Sequence, residues 1–293
     1  MADRVLTVSA SIPKRQHFNP EMLLRRFTDE DGRLFFFNKR FPDGGVLSTT
    51  PANLFCETHL YTAKDKNGVM DVQLERDYAD LESLANPIIE KIVSASRRGL
   101  RPQLTAQERD IWDVFFCNQW KRVPEIREKV FDRENIESRL TRLVATFEAN
   151  GRPLTSNDAS NLRNPKWVAR VKKNTMIEAL KHPSPEVLAI LKQKGLCIAV
   201  IRKRGKSFVI GSLPVVKLNH PHREHLSDPT VEVWLPISFD IAVSPAFMLS
   251  GNELVREIYD ESIVRRINRA TFAQSTTIAG RSEKLIASLT HSR

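Results

Sequence analysis

The strongest constraint on this chain is a change of period along its length. From Val72 to Lys194 the apolar residues recur at helical spacing. From Leu196 they gather into short strand-like runs, Leu196–Ile201, Ser207–Ile210, Pro214–Val216 and Thr230–Ile237. Helices and strands segregated in this way predict an α+β fold rather than alternating βαβ units. The expected class is predominantly helical, with a small N-terminal β element and an antiparallel sheet in the last third. At 293 residues the chain is long enough to bury a sizeable core. It is read as one compact domain over 1–293, with lobes at 1–195 (mostly helical) and 196–293 (sheet plus C-terminal helix).

The helical region has clear punctuation. A long amphipathic helix starts near Val72 and carries Glu75, Tyr78, Glu82 and Ile89, with Asn86-Pro87 expected to kink or interrupt it. Glu75 and Glu82 lie two turns apart on one face, where paired carboxylates can hold a divalent cation or divide acid and base roles. A solvated acidic stripe is the plainer alternative. Thr105-Ala106-Gln107-Glu108 is a capping box before a core helix bearing Trp112, Phe115, Phe116 and Trp120. Gln119 and Arg122 sit one turn apart beyond its apolar face, and Arg127 follows Pro124. Further helices are expected over Asp132–Glu148, Trp167–Leu180 and Pro185–Lys194, with 155–165 as a loop. Asn252–Gln274 is read as one helix, and Ser282–Leu289 as a short last one.

The N-terminal region is organised around Lys14 to Phe27. His17 stands close to Pro20, which can open a helix, with Arg25 and Arg26 following. A titratable ring beside a helix start and positive charge suits an anionic group. The run Phe35-Phe36-Phe37 has strand propensity and is better suited to a core than to stacking bases. Glu57, His59 and Tyr61 alternate, and on an extended segment they would share one face able to bind a metal or shuttle a proton. In the last third, Arg202–Lys206 is expected to be a hairpin turn that concentrates charge at its tip. The histidines His220, His222 and His225 invite a metal reading without a recognised ligand spacing.

Composition bounds the rest. A net charge of +10 fits a phosphate-bearing partner such as nucleic acid, and equally a scattered positive surface that favours solubility. No apolar run approaches the roughly 20 residues of a membrane span, and the acid at Asp3 with no apolar core behind it argues against a secretory signal. Cys56, Cys117 and Cys197 lack metal-ligand spacing and fit a reducing cytoplasm. No P-loop, Rossmann glycine pattern or nucleophile elbow is found.

The order of these pieces resembles an uncharacterised, mainly bacterial family, the domain of unknown function numbered forty-two thirty-eight. The resemblance is carried by His17-Phe18-Asn19-Pro20, Leu24-Arg25-Arg26-Phe27, Asp31-Gly32, the Leu34–Lys39 run, the Pro51 segment, the Glu57-to-Tyr61 row and Glu75. The helical element Gln119, Arg122, Pro124, Arg127 and the helix with Asn268 extend it. Where the family's members typically carry a Ser-Asp-x-Pro-like turn, this chain has Ser212-Leu213-Pro214, so if that aspartate is catalytic or a metal ligand, this chain is impaired or uses another acid.

Two expectations follow. The first is a phosphate-directed, nuclease-like or toxin-like enzyme acting on nucleic acid. His17 and Glu75 are then catalytic, Tyr61, Gln119, Arg122, Arg127 and Ser212 bind substrate, and a divalent metal is compatible with the site. The second is a non-catalytic module that binds nucleic acid or protein through a degenerate site, with Glu75 and an arginine forming a buried ion pair.

Overall fold

The structure is a computed structural model, and it describes residues 14–127, 136–151, 155–218, 225–228, 231–246, 253–258 and 260–291. Most of the cluster His220–His225 therefore lies outside the described residues. The N-terminal part comprises β1 (Arg15–His17), α1 (Glu21–Leu24), β2 (Leu34–Asn38), β3 (Leu47–Thr49), β4 (Cys56–Thr58), β5 (Ala63–Lys64) and β6 (Met70–Asp71). The helical middle comprises α2 (Gln73–Arg97), α3 (Ala106–Lys121), α4 (described over 124–127), α5 (Ile136–Ala149), α6 (Ser156–Leu162), α7 (Pro165–Lys181) and α8 (Pro185–Lys192). The last part comprises β7 (Gly195–Ile201), β8 (Ile210–Gly211), β9 (Val216–Lys217), β10 (Val233–Ser238), β11 (Ile241–Ala246), β12 (Glu253–Ile258), α9 (Glu261–Gln274), β13 (Thr277–Gly280) and α10 (Glu283–Thr290). The α+β class holds. No described helix is long and apolar enough to cross a membrane.

The sheet of the last third has five strands in the order β12-β7-β11-β10-β9. It is antiparallel except at one edge, where β12 runs parallel to β7. The central strand β7 reads as an unbroken apolar run because both its faces are covered and both its edges are paired. That arrangement overturns two expectations. Arg202–Lys206 does not close a hairpin, since β11 and β12 take the edges of β7 while Ile210 pairs with Ala279 in another sheet. The Asn252–Gln274 segment is not one helix either. Its first part is β12, and α9 starts after Asp260, whose carboxylate caps the Ser262 amide at 2.8 Å. Residues 155–165 also form more than a loop, because they include α6.

A second sheet, in the order β3-β2-β13-β8, joins strands from both ends of the chain. Phe35 and Phe37 pack towards a small core of Val209, Ile278, Ile286 and Leu289, and Phe36 packs against the main core. The three phenylalanines thus serve packing on the two faces of β2. The approach of β8 to α9 is very close. A Cβ at Gly211 would lie 2.0 Å from the Ser275 hydroxyl and 2.9 Å from a Thr271 methyl, so only glycine fits there.

Two helices position the candidate site. The capping box at Thr105 forms as expected, with the Glu108 amide donating to Thr105 Oγ1 at 3.2 Å and the Thr105 amide to Glu108 at 2.7 Å. Trp112, Phe115 and Phe116 then bury one face of α3. Opposite it, α2 continues past Pro87 without interruption and buries Leu74, Tyr78, Ala85, Ile89 and Ile92.

Candidate acid–base site

The site is built where the polar stripe of α2 meets the end of α3. Glu75, Tyr78 and Glu82 are spaced so that one helical face carries all three. From α3, Arg122 donates to Glu82 at 2.8 Å and to the Gln119 side-chain oxygen at 3.3 Å. Its guanidinium lies 5.0 Å from the Tyr78 ring centre. Tyr78 in turn meets Tyr61 edge-on, with centroids 4.9 Å apart at 77°. Tyr61 is held in place through Gln16 of β1, which accepts the Tyr61 amide at 2.6 Å and donates to Thr62 at 3.1 Å.

His17 reaches the same neighbourhood from β1, which pairs with β4 so that His17 faces Cys56. Its Nε2 lies 3.3 Å from the Pro51 carbonyl oxygen. A carbonyl can only accept, so Nε2 carries the proton and a neutral ring keeps its lone pair on Nδ1. Burial lowers the His17 pKa, assisted by Arg15, and outweighs the Pro51 hydrogen bond and the charges of Glu21 and Glu82. The imidazole is therefore neutral at physiological pH.

Glu75 is the most perturbed carboxyl. Its half-buried position, reinforced by the Glu82 charge and opposed by Arg122, raises its pKa to about 7. Burial also works against the charge of Arg122, but the Glu82 carboxylate keeps its pKa raised and the guanidinium ionised. Burial pushes the phenols of Tyr61 and Tyr78 up, so both stay protonated.

Of the residues expected from the sequence, Arg122 bonds Glu82, Glu75 and His17 feel the Glu82 charge, and Gln119 and Tyr61 join through Arg122. Arg127 stands at the margin, where its charge is felt by both phenols. It donates to Glu57 at 3.1 Å. Gln119 and Arg122 are 0% and 1% exposed, so they face the interior rather than solvent. The Gln119 amide nitrogen and Arg122 Nε have no partner among the described residues.

Other expectations change. The Glu57-to-Tyr61 row does not share one strand face, because β4 ends at Thr58 and His59 takes a left-handed φ of 52°. The helix after Pro20 has only four residues, and its arginines are committed, Arg25 to Glu21 and Arg26 to Glu90 and Asn86. Ser212 belongs to a different group. It hydrogen-bonds Glu125 and Thr276 and accepts the amides of Thr276 and Thr277 at 3.0 and 3.2 Å. Glu125 is thus the acid that meets this serine.

Glu82 and Tyr78 complete the cluster without having been singled out as site residues. The seven-residue spacing of Glu75 and Glu82 was the available signal. No described group of three or more His, Cys, Asp and Glu is placed to hold a metal ion. Cavities between α9 and α10, among α5, α6 and α7, and beside the Arg202–Lys206 loop are lined by other residues.

The chain belongs to the family described as Protein of unknown function (DUF4238), which matches residues 15–284. No curated protein and no solved structure matches it.

Proposed function

We propose that this protein is a phosphate-directed enzyme acting on nucleic acid, with nuclease-like or toxin-like chemistry centred on His17 and Glu75. The observation that carries the reading is a half-buried carboxyl with a pKa of about 7, which shares the charge of Glu82 with a neutral imidazole. Such a pair divides acid and base work at neutral pH. In this scheme His17 Nδ1 accepts a proton from attacking water as the new P–O bond forms. Glu75 protonates the leaving oxygen as the old one breaks. Glu82 and Arg122 fix α2 against α3 and set the Glu75 pKa, and Arg127 stands at the rim for a phosphate. The net charge of +10 supports the choice of substrate class.

The test is hydrolysis of single- and double-stranded RNA and DNA, with and without divalent metal. Glu75→Gln and His17→Ala are each expected to lower turnover at least ~100-fold, the usual contribution of a positioned acid or base. Turnover unchanged in either variant removes that residue from the mechanism.

A second reading rests on the burial of Arg122 and Ser212, at 1% and 2% exposure. In it the cluster is an internal polar anchor of a binding module. Variants would then lose stability while retaining binding, which a thermal melt beside a binding assay resolves.

A further inference from the structure

A cavity of about 580 Å³ opens between α9, α10 and the loop after β7. A second, of about 490 Å³, adjoins it and shares Gly205, Lys206, Ser207 and Ser282. Eight lysines and arginines line the pair of cavities, against the two carboxylates of Glu261 and Asp240. That local excess of six is more than half of the chain's net +10. Glu261 is already engaged by Lys203 and Lys206. Arg204, Arg265, Arg269 and Lys284 have no hydrogen-bond or carboxylate partner among the described residues.

Three of these cations sit where local structure disfavours them. Arg265 and Arg269 are one turn apart on α9, where like charges repel. Lys284 lies in the first turn of α10, at the end of the helix dipole that prefers anions. A solvated basic face explains the net charge but not why unpaired cations converge on a concave site from two helices and a loop. An anionic ligand explains both.

We infer that this cavity pair binds a small anion carrying several phosphate groups. A volume of about 580 Å³ falls within the usual range for ligands of nucleotide size. Arginine forks and lysine point charges are the usual recognition groups for phosphate oxygens. The aromatic ring in the wall, Phe239, already carries the Arg281 guanidinium at 4.2 Å and that of Arg97 at 5.5 Å. It is not offered to a nucleobase, so recognition falls on the phosphates. This site shares no residue with the His17–Glu75 cluster and stands independently of the reading given to that cluster.

The test is calorimetric titration of the full-length protein with inorganic tripolyphosphate, ATP and a single-stranded oligonucleotide. Tripolyphosphate and ATP are expected to bind with similar affinity and to compete for one site. The double substitution Arg265→Ala, Arg269→Ala is expected to weaken both at least ~10-fold. Both side chains are exposed, so circular dichroism and the melting temperature should be retained. Lys172→Ala, in the separate cleft among α5, α6 and α7, should leave binding unchanged. No tripolyphosphate binding, equal binding by the double variant, or binding by the oligonucleotide alone would each overturn the inference.

Discussion

Arg122 at the C-terminal end of α3 and Glu82 of α2 meet at 2.8 Å, with the guanidinium 1% and the carboxylate 24% exposed. Removing the cation strands Glu82 in a partly buried setting and takes away the cation over Tyr78. Arg122→Ala should therefore cost about 3 kcal/mol, the lower end for a broken buried pair because Glu82 keeps some solvent. Arg122→Lys should recover only part of that loss, since one ammonium does not reproduce a fork directed at Glu82 and Gln119. Urea denaturation measures both. A loss under ~1 kcal/mol for the alanine variant would show that solvent already screens the pair.

The folded pKa of Glu75, about 7, lies above its ordinary value of 4.5. Folding therefore favours the protonated form. The stabilising contribution is complete below about 4.5 and is lost as pH rises through about 7. Glu75→Gln removes this dependence and should make the protein more stable than the parent at pH 8. With screening allowed for, the gain is about 1 kcal/mol. Melting temperatures at pH 5 and pH 8 test the sign, and an equal effect at both pH values would sink the assignment.

The same titration shapes the proposed activity. With His17 as base and Glu75 as acid, turnover should be bell-shaped. The acidic limb follows the lowered His17 pKa, and the alkaline limb lies near 7. The limbs belong to coupled groups within electrostatic reach of Glu82. An alkaline limb that survives in Glu75→Gln would assign it to another group.

Gly211 admits no side chain, because a Cβ would meet Ser275 at 2.0 Å. Its carbonyl also accepts from the buried Asn19 amide at 2.7 Å. Gly211→Ala should therefore cost about 1–3 kcal/mol by overpacking, measured by chemical denaturation. A neutral result would mean that β8 and the end of α9 can separate freely.

Ser212→Ala should remove a hydrogen-bond donor from Glu125, whose second oxygen already has no partner among the described residues. The expected cost is about 1–3 kcal/mol of stability, with turnover per folded molecule unchanged. A drop in turnover without loss of stability would return Ser212 to the substrate-binding set.

Local signals were the legible part of this fold. The Thr105 capping box and the continuous apolar run of β7 each state their structure within a few residues. Failures came where two periods overlap. Leu254 and Ile258 suit a helix face, yet β12 places them on a sheet edge because β7 had that edge to offer. The hairpin after Ile201 failed for the related reason that strand pairing is decided by distant partners. At the candidate site, Glu75 and Glu82 were visible as a pair at helical spacing. Which arginine would neutralise one and leave the other protonated depends on how α2 packs against α3, and no local pattern encodes that. Ser212 and Arg122 show the same limit: polar type was readable, burial was not.

The sheet that combines β2 and β3 with β8 and β13 has a consequence for biosynthesis. Lys39, at the end of β2, contacts the backbone of Phe272, 233 residues further on. At about 5–20 residues per second, the ribosome delivers that partner on the order of 10–50 s after the first strands emerge. Throughout that interval the Phe35-Phe36-Phe37 edge waits without β13. A nascent chain stalled before Thr277 should therefore remain bound to chaperones, its N-terminal strands completed only when its last strand arrives.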